Sequence, residues 1–254
     1  VLSSCTEASL DMNKDIKATR MPGATDAQLA AFQYPIEYKF VPLFNTQSGF
    51  ATFLIPAVLI MIIQQTMLLG VGMMAGEERE KIRKHIAEPH IIGKNPIEVL
   101  LGKSMVYFVI YIFVALYLVC IVPELFNLVH IWDWKTLLSF MVPFLLACVF
   151  FCMALSSLSH DRESFIIMFV FMSIPLLFIS GISWPASNIP VAWKMVSWLF
   201  PSTFGINGFV RISEMGATLP DVQTEITALW IQTFAYLIIS YIVYKRTYGK
   251  QLWA

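Results

Sequence analysis

Five apolar stretches of the 254-residue chain contain no Asp, Glu, Lys or Arg: 50–75, 104–123, 136–159, 164–183 and 226–244. A helix rises about 1.5 Å per residue, so about 20 residues cross the roughly 30 Å hydrocarbon core of a bilayer. Each stretch has about that length, and the pattern predicts five transmembrane helices. A charge at the centre of a span costs on the order of 3 kcal/mol on insertion scales, which is why charge is excluded there. Five windows of spanning length argue against a set of buried helices in a soluble core. The expected fold is an all-α polytopic membrane protein.

The composition agrees. Only 13% of residues are charged, against about 25% for a soluble domain. Net charge is zero, so no excess positive field recruits nucleic acid. With five spans, alternate loops share a side. The loops 76–103 and 160–163 and the C-terminal tail carry ten Lys and Arg residues, whereas the loops 124–135 and 184–225 carry three. The positive-inside rule then places the first set in the cytoplasm, residues 1–49 outside and the C-terminus inside. An outside start at Val1, without an export signal of its own, leads us to expect a sixth span upstream. Residues 1–49 then read as the tail of an extracytoplasmic domain and its approach to the membrane, and 50–254 as the transmembrane domain. A short rival reading takes Leu2-Ser3-Ser4-Cys5 as the end of a bacterial lipoprotein signal.

Motifs for chemistry are scarce. The chain has no HExxH, no GxSxG and no GxxxxGK[ST] phosphate loop: Gly102-Lys103 would need Gly where Ile97 sits. His85, Glu88 and His90 are too far apart in register for one helix face, and Pro89 interrupts them, so solvated loop histidines are expected. Cys148 and Cys152 share a face at i, i+4, which fits small apolar packing. No span carries the buried ionisable residue that marks an ion-coupled pathway. The amides of Gln64 and Gln65 do lie near the middle of 50–75, and unpaired amides in hydrocarbon cost a few kcal/mol. They are expected either to bond neighbouring helices or to line a substrate path.

Two loops stand out. The inner loop 76–103 begins with Glu77, Glu78, Arg79, Glu80 and Lys81, acids before bases as a helix dipole prefers. Ile82 and Ile86 share a face, so 76–88 is expected to lie along the inner membrane surface and to offer a docking site for a cytoplasmic partner. The outer segment 184–215 is rich in Trp and Phe, yet Pro185, Pro190, Pro201, Gly205 and Gly208 punctuate it. Its longest Pro-free run before Pro201 is too short to span. It is expected to form a pair of short re-entrant or interfacial helices hinged near Pro201, with Pro185, Pro190, Pro201, Thr203 and Gly205 acting as an outer gate. Pro175 should kink the span before it.

These features, in this order, resemble the permease subunits of type-2 ABC exporters that carry an extracytoplasmic domain after their first span. The matching runs are Gly49-Phe50 with Phe53, Pro56 and Gln64, then Glu78-Arg79-Glu80-Lys81, and Ile97-Glu98-Val99-Leu100-Leu101-Gly102-Lys103. They continue with Ser180-Gly181-Ile182-Ser183-Trp184-Pro185, Ile189-Pro190, Pro201-Ser202-Thr203-Phe204 and Arg211. Ile82-Arg83 replaces the Gly-Thr that commonly follows in the family. The resemblance implies an export permease of the bacterial inner membrane that moves an amphiphilic, drug-like or lipid-like substrate. It implies no cofactor on this chain, with ATP used by an ABC ATPase subunit that couples through Glu77–Lys81. A second permease chain, the lipid bilayer and a periplasmic adaptor complete the implied partners. The alternative readings are a membrane-embedded enzyme, with His160, Asp161 or Ser202 as its only candidates, and a non-transporting assembly factor.

Overall fold

The structure, a computed structural model, describes Met12 and residues 50–83, 95–128, 130–156, 162–181 and 189–249. The chain divides into two units, Val1–Leu43 and Phe44–Ala254, and every described residue except Met12 belongs to the second. Among the described residues all regular structure is helical: α1 Phe50–Arg83, α2 Pro96–Leu125, α3 Trp134–Leu155, α4 Arg162–Ile179, α5 Val191–Ser197, α6 Pro201–Met215 and α7 Gln223–Gly249. A helix covers most or all of each charge-free stretch. Among the described residues α1, α2, α3 and α7 are long and apolar enough to cross a membrane. The fifth, α4, has 18 residues, about 27 Å of helix, with 157–161 and 182–188 on either side of it outside the described residues.

The helices start and stop for local reasons. Pro96 and Pro201 open α2 and α6 in the first turn, where a missing N–H breaks no intrahelical bond. Gly216 closes α6 in the left-handed conformation, φ 61°, which a residue without a Cβ adopts freely. Within α2 a π-helical turn occupies Tyr117–Ile121. Pro123 follows it, and its ring and absent N–H prevent the ordinary bond to the Val119 carbonyl, so the wider turn absorbs the mismatch.

The core forms where α3 packs along α7 and α1 packs on α4 and α6. Phe140, Phe144, Ile60, Ile63, Met67, Ile206 and Phe209 fill it completely. Of the four long helices α3 is the most buried and α2 the least. The apolar faces that α2 and α7 leave uncovered are what helices in lipid present to their solvent.

Two sequence expectations need correction. The first is that 76–88, of which 84–88 lie outside the described residues, runs along the membrane surface apart from a span ending at 75. Residues 76–83 continue α1 without a break, because Glu78 and Arg79 are met by Lys103 and the Ser156 carbonyl of neighbouring helices and no Pro intervenes before Pro89. Likewise α2 begins at Pro96, inside the expected loop 76–103. The second is that Gly205 and Gly208 punctuate the outer segment, whereas both lie inside α6. A Cβ there would sit 2.4 Å from ring atoms of Phe144 and Phe140 respectively, so these glycines let α6 approach α3 closely. The expected pair of short helices around Pro201 is present as α5 and α6. Pro175 lies within α4.

Candidate functional site

The charged end of α1 is bound into the bundle by three neighbours. Lys81 pairs with Glu77 one turn back at 3.0 Å. Glu78 receives Lys103 of α2 in an ion pair whose side chains are mostly buried. The Lys103 ammonium also lies 5.7 Å from the centre of the Tyr244 ring of α7, close enough for cation–π attraction. Arg79 donates to the Ser156 carbonyl at 2.6 Å. That carbonyl stands at the C-terminus of α3, where acceptors lack helical partners and the helix dipole favours a cation. Glu80 is half-buried beside them. Glu78 and Arg79 thus bond α1 to α2 and α3, and Lys103 carries the contact on to α7.

Fourteen residues earlier on the same helix, roughly 21 Å away, Gln64 is completely buried. Its Oε1 accepts the backbone N–H of Ser202 at 2.6 Å and the Cys148 thiol at 3.9 Å. Ser202 lies in the first turn of α6, where N–H groups have no intrahelical acceptor, and the N-cap residue Phe200 supplies no side-chain cap. Gln64 therefore caps α6 from another helix. Gln65 is also buried, and neither its Nε2 nor its Oε1 has a hydrogen-bond partner. Successive helix positions diverge by about 100°, so the two glutamines serve different faces and do not form one polar site.

The outer pair is held by α7 and by its own hydroxyls. Thr203 donates to the Ser197 carbonyl at 2.7 Å, and Gln232 Nε2 donates to the Trp198 carbonyl at 2.7 Å. The Tyr236 hydroxyl donates to the Leu199 carbonyl. Arg211 bonds Glu225 of α7 at 2.8 Å. Pro201 is buried at the start of α6, Pro190 is exposed at the start of α5, and Pro185 lies outside the described residues. Between α6 and α7, Thr218 donates through its N–H and its hydroxyl to Asp221, at 2.9 and 2.6 Å. Those bonds hold the Asp221 carboxyl below its ordinary range. Burial without a partner for one oxygen pushes Glu214, in the last turn of α6, up to about 7.

The structure thus brings Gln64 of mid-α1 to the first turn of α6, which holds Pro201 and Thr203, and Gly205 against α1 and α3, and it puts Glu77–Lys81 near the C-terminal end of α1. A family model described as ABC-2 family transporter protein matches residues 2–242. The chain belongs to the ABC-2 transporter family. No curated protein and no solved structure matches it. An ABC-2 chain is the membrane-spanning permease of an ABC transport system and works with an ABC ATPase.

Several residues that organise this permease were not singled out by sequence. Gln232, Thr233 and Ser240 lie in the apolar stretch 226–244, and each bonds a backbone carbonyl. A polar side chain at membrane depth that must find a partner was the available signal. Ser202 acts through its backbone, which no side-chain pattern reveals. His85, Glu88, His90, His160 and Asp161 lie outside the described residues.

Proposed function

We propose that this ABC-2 permease exports an amphiphilic, drug-like or lipid-like substrate from the cytoplasm across a bacterial inner membrane. In this reading it pairs with a second permease chain, its C-terminus faces the cytoplasm and its N-terminal segment faces outward. The ATPase subunit, which binds and spends the ATP, docks at Glu77, Glu78, Arg79, Glu80 and Lys81. A periplasmic adaptor can then meet the outward side.

One observation carries the proposal. The single helix α1 bears the charged cluster near its C-terminal end and, through Gln64, the cap of the buried outer helix α6. A displacement imposed on Glu77–Lys81 by a closing ATPase therefore reaches α6 through one continuous element. The close Gly205 contact with Phe144 makes α6 move with the core, the Thr203 bond ties the end of α5 to α6, and Pro185, Pro190 and Pro201 serve as the hinges of the outer gate. Gln64 and Gln65, with their spare amide groups, border the path.

The test is charge reversal at Glu78, Arg79 and Glu80 in the full-length protein reconstituted with its ATPase. The expected result is continued ATP hydrolysis with loss of substrate movement. Unchanged transport would overturn the docking assignment.

A further inference from the structure

Between α2 and α3 lies an apolar groove of about 100 Å³. Val119, Leu137 and Leu145 form its buried floor, and Leu116, Leu138 and Val142, each more than a third exposed, form its rim. It opens along the least buried of the four long helices, and the π-helical turn of α2 forms part of its wall. An apolar cavity of this kind does not hold water, and hydrocarbon is the surrounding medium at this depth.

The charges at the mouth say what carries that hydrocarbon. On α3, Lys135 precedes Leu138 and Val142 by three and seven positions, so it stands on the rim face one to two turns toward the helix start. On α2, Glu124 follows Cys120, which lines the groove, by four positions and so stands one turn beyond it on the same face. Both Lys135 and Glu124 are exposed, as are Asp133 and Trp134 beside them. A cation and an anion flanking one end of an apolar groove complement a zwitterion with a hydrocarbon tail.

We propose that this groove binds a zwitterionic phospholipid from the surrounding bilayer, with a segment of one acyl chain in the groove, its phosphate at Lys135 and its ammonium at Glu124. A chain leaving bulk lipid gains no hydrophobic free energy by entering an apolar groove. Selectivity therefore resides in the headgroup. An exposed ion pair changes an equilibrium by up to about fivefold, which sets the expected preference.

The experiment uses the full-length protein in vesicles of equal parts palmitoyl-oleoyl phosphatidylethanolamine and phosphatidylglycerol, extracted in detergent, with retained lipid measured by mass spectrometry. Phosphatidylethanolamine should be retained over phosphatidylglycerol by up to about fivefold. Leu138→Trp and Val142→Trp, both at exposed rim positions that a folded chain tolerates, should each expel the retained lipid. Glu124→Gln should remove the preference, because the two lipids share the phosphate and differ in the ammonium. Equal retention of the two lipids by the unmodified protein would overturn the headgroup assignment, as would a preference that survives Glu124→Gln. Retention unchanged in both Trp variants would overturn the groove itself.

Discussion

The side-chain oxygen of Gln64 accepts the backbone N–H of Ser202 at 2.6 Å, joining positions 138 residues apart. Within α1 this amide is a polar intrusion, yet to α6 it is the missing cap. The bond replaces an unpaired donor and an unpaired acceptor at once, in a region where neither can turn to water.

Replacing Gln64 with Met keeps the volume and removes the acceptor. The Ser202 N–H is then buried without a partner, a loss of about 1–3 kcal/mol. Thermal unfolding of the detergent-solubilised protein should shift down accordingly. Transport should fall while ATP hydrolysis by the partner continues. A variant as stable and active as the original would show that α6 does not depend on this cap.

Gly205→Ala puts a methyl group against the buried Phe144 ring, and overpacking of this kind costs about 1–3 kcal/mol. Phe144→Leu alone should also destabilise, by leaving space in the core. Combined, the two changes should recover part of the loss, because each relieves the defect made by the other. Additive losses in denaturation measurements would mean that the two helices separate instead of repacking.

Lys103→Glu places like charges at the contact with Glu78. The expected loss is about 1.5–3 kcal/mol, the range for a hydrogen bond to a charged group. Adding Glu78→Lys should restore part of it, since the reversed pair can form but the Tyr244 ring then loses its cation. Coupling should follow the same order when hydrolysis and transport are measured together. Equal behaviour of the single and double variants would exclude a role for this pair.

The raised Glu214 carboxyl predicts a pH dependence of known sign. Folded protein holds this proton more tightly than unfolded protein does. Its contribution is therefore fully present below the ordinary value of 4.5 and is lost as pH rises to about 7. Glu214→Gln should remove that decline. The unfolding temperature of the variant minus that of the original should increase between about pH 4.5 and 7 and then level off. A constant difference would mean that Glu214 titrates normally.

Exclusion of charge from 50–75, 104–123, 136–159, 164–183 and 226–244 made the helices legible, because every apolar span obeys the same solvation rule. That rule is blind at the ends. Glu78 and Arg79 end an apolar pattern on paper, yet the helix continues because Lys103 and the Ser156 carbonyl meet them. Prolines marked the start of α6 correctly, since the lack of an N–H acts locally. Gly205 and Gly208 misled for the opposite reason: their meaning lies in Phe144 and Phe140, on a helix some 60 residues earlier. The need of Gln64 for a partner was readable in the sequence, whereas the identity of that partner required the fold.

The carbonyls of Trp198 and Leu199, at the join between α5 and α6, accept hydrogen bonds from Gln232 and Tyr236. During synthesis the join therefore emerges more than thirty residues before the side chains that hold it. Until α7 has entered the bundle, α5 and α6 remain unlatched at their shared corner. Completion of α7 is thus a checkpoint in biogenesis, and a chain stopped before residue 232 would be left without this clasp.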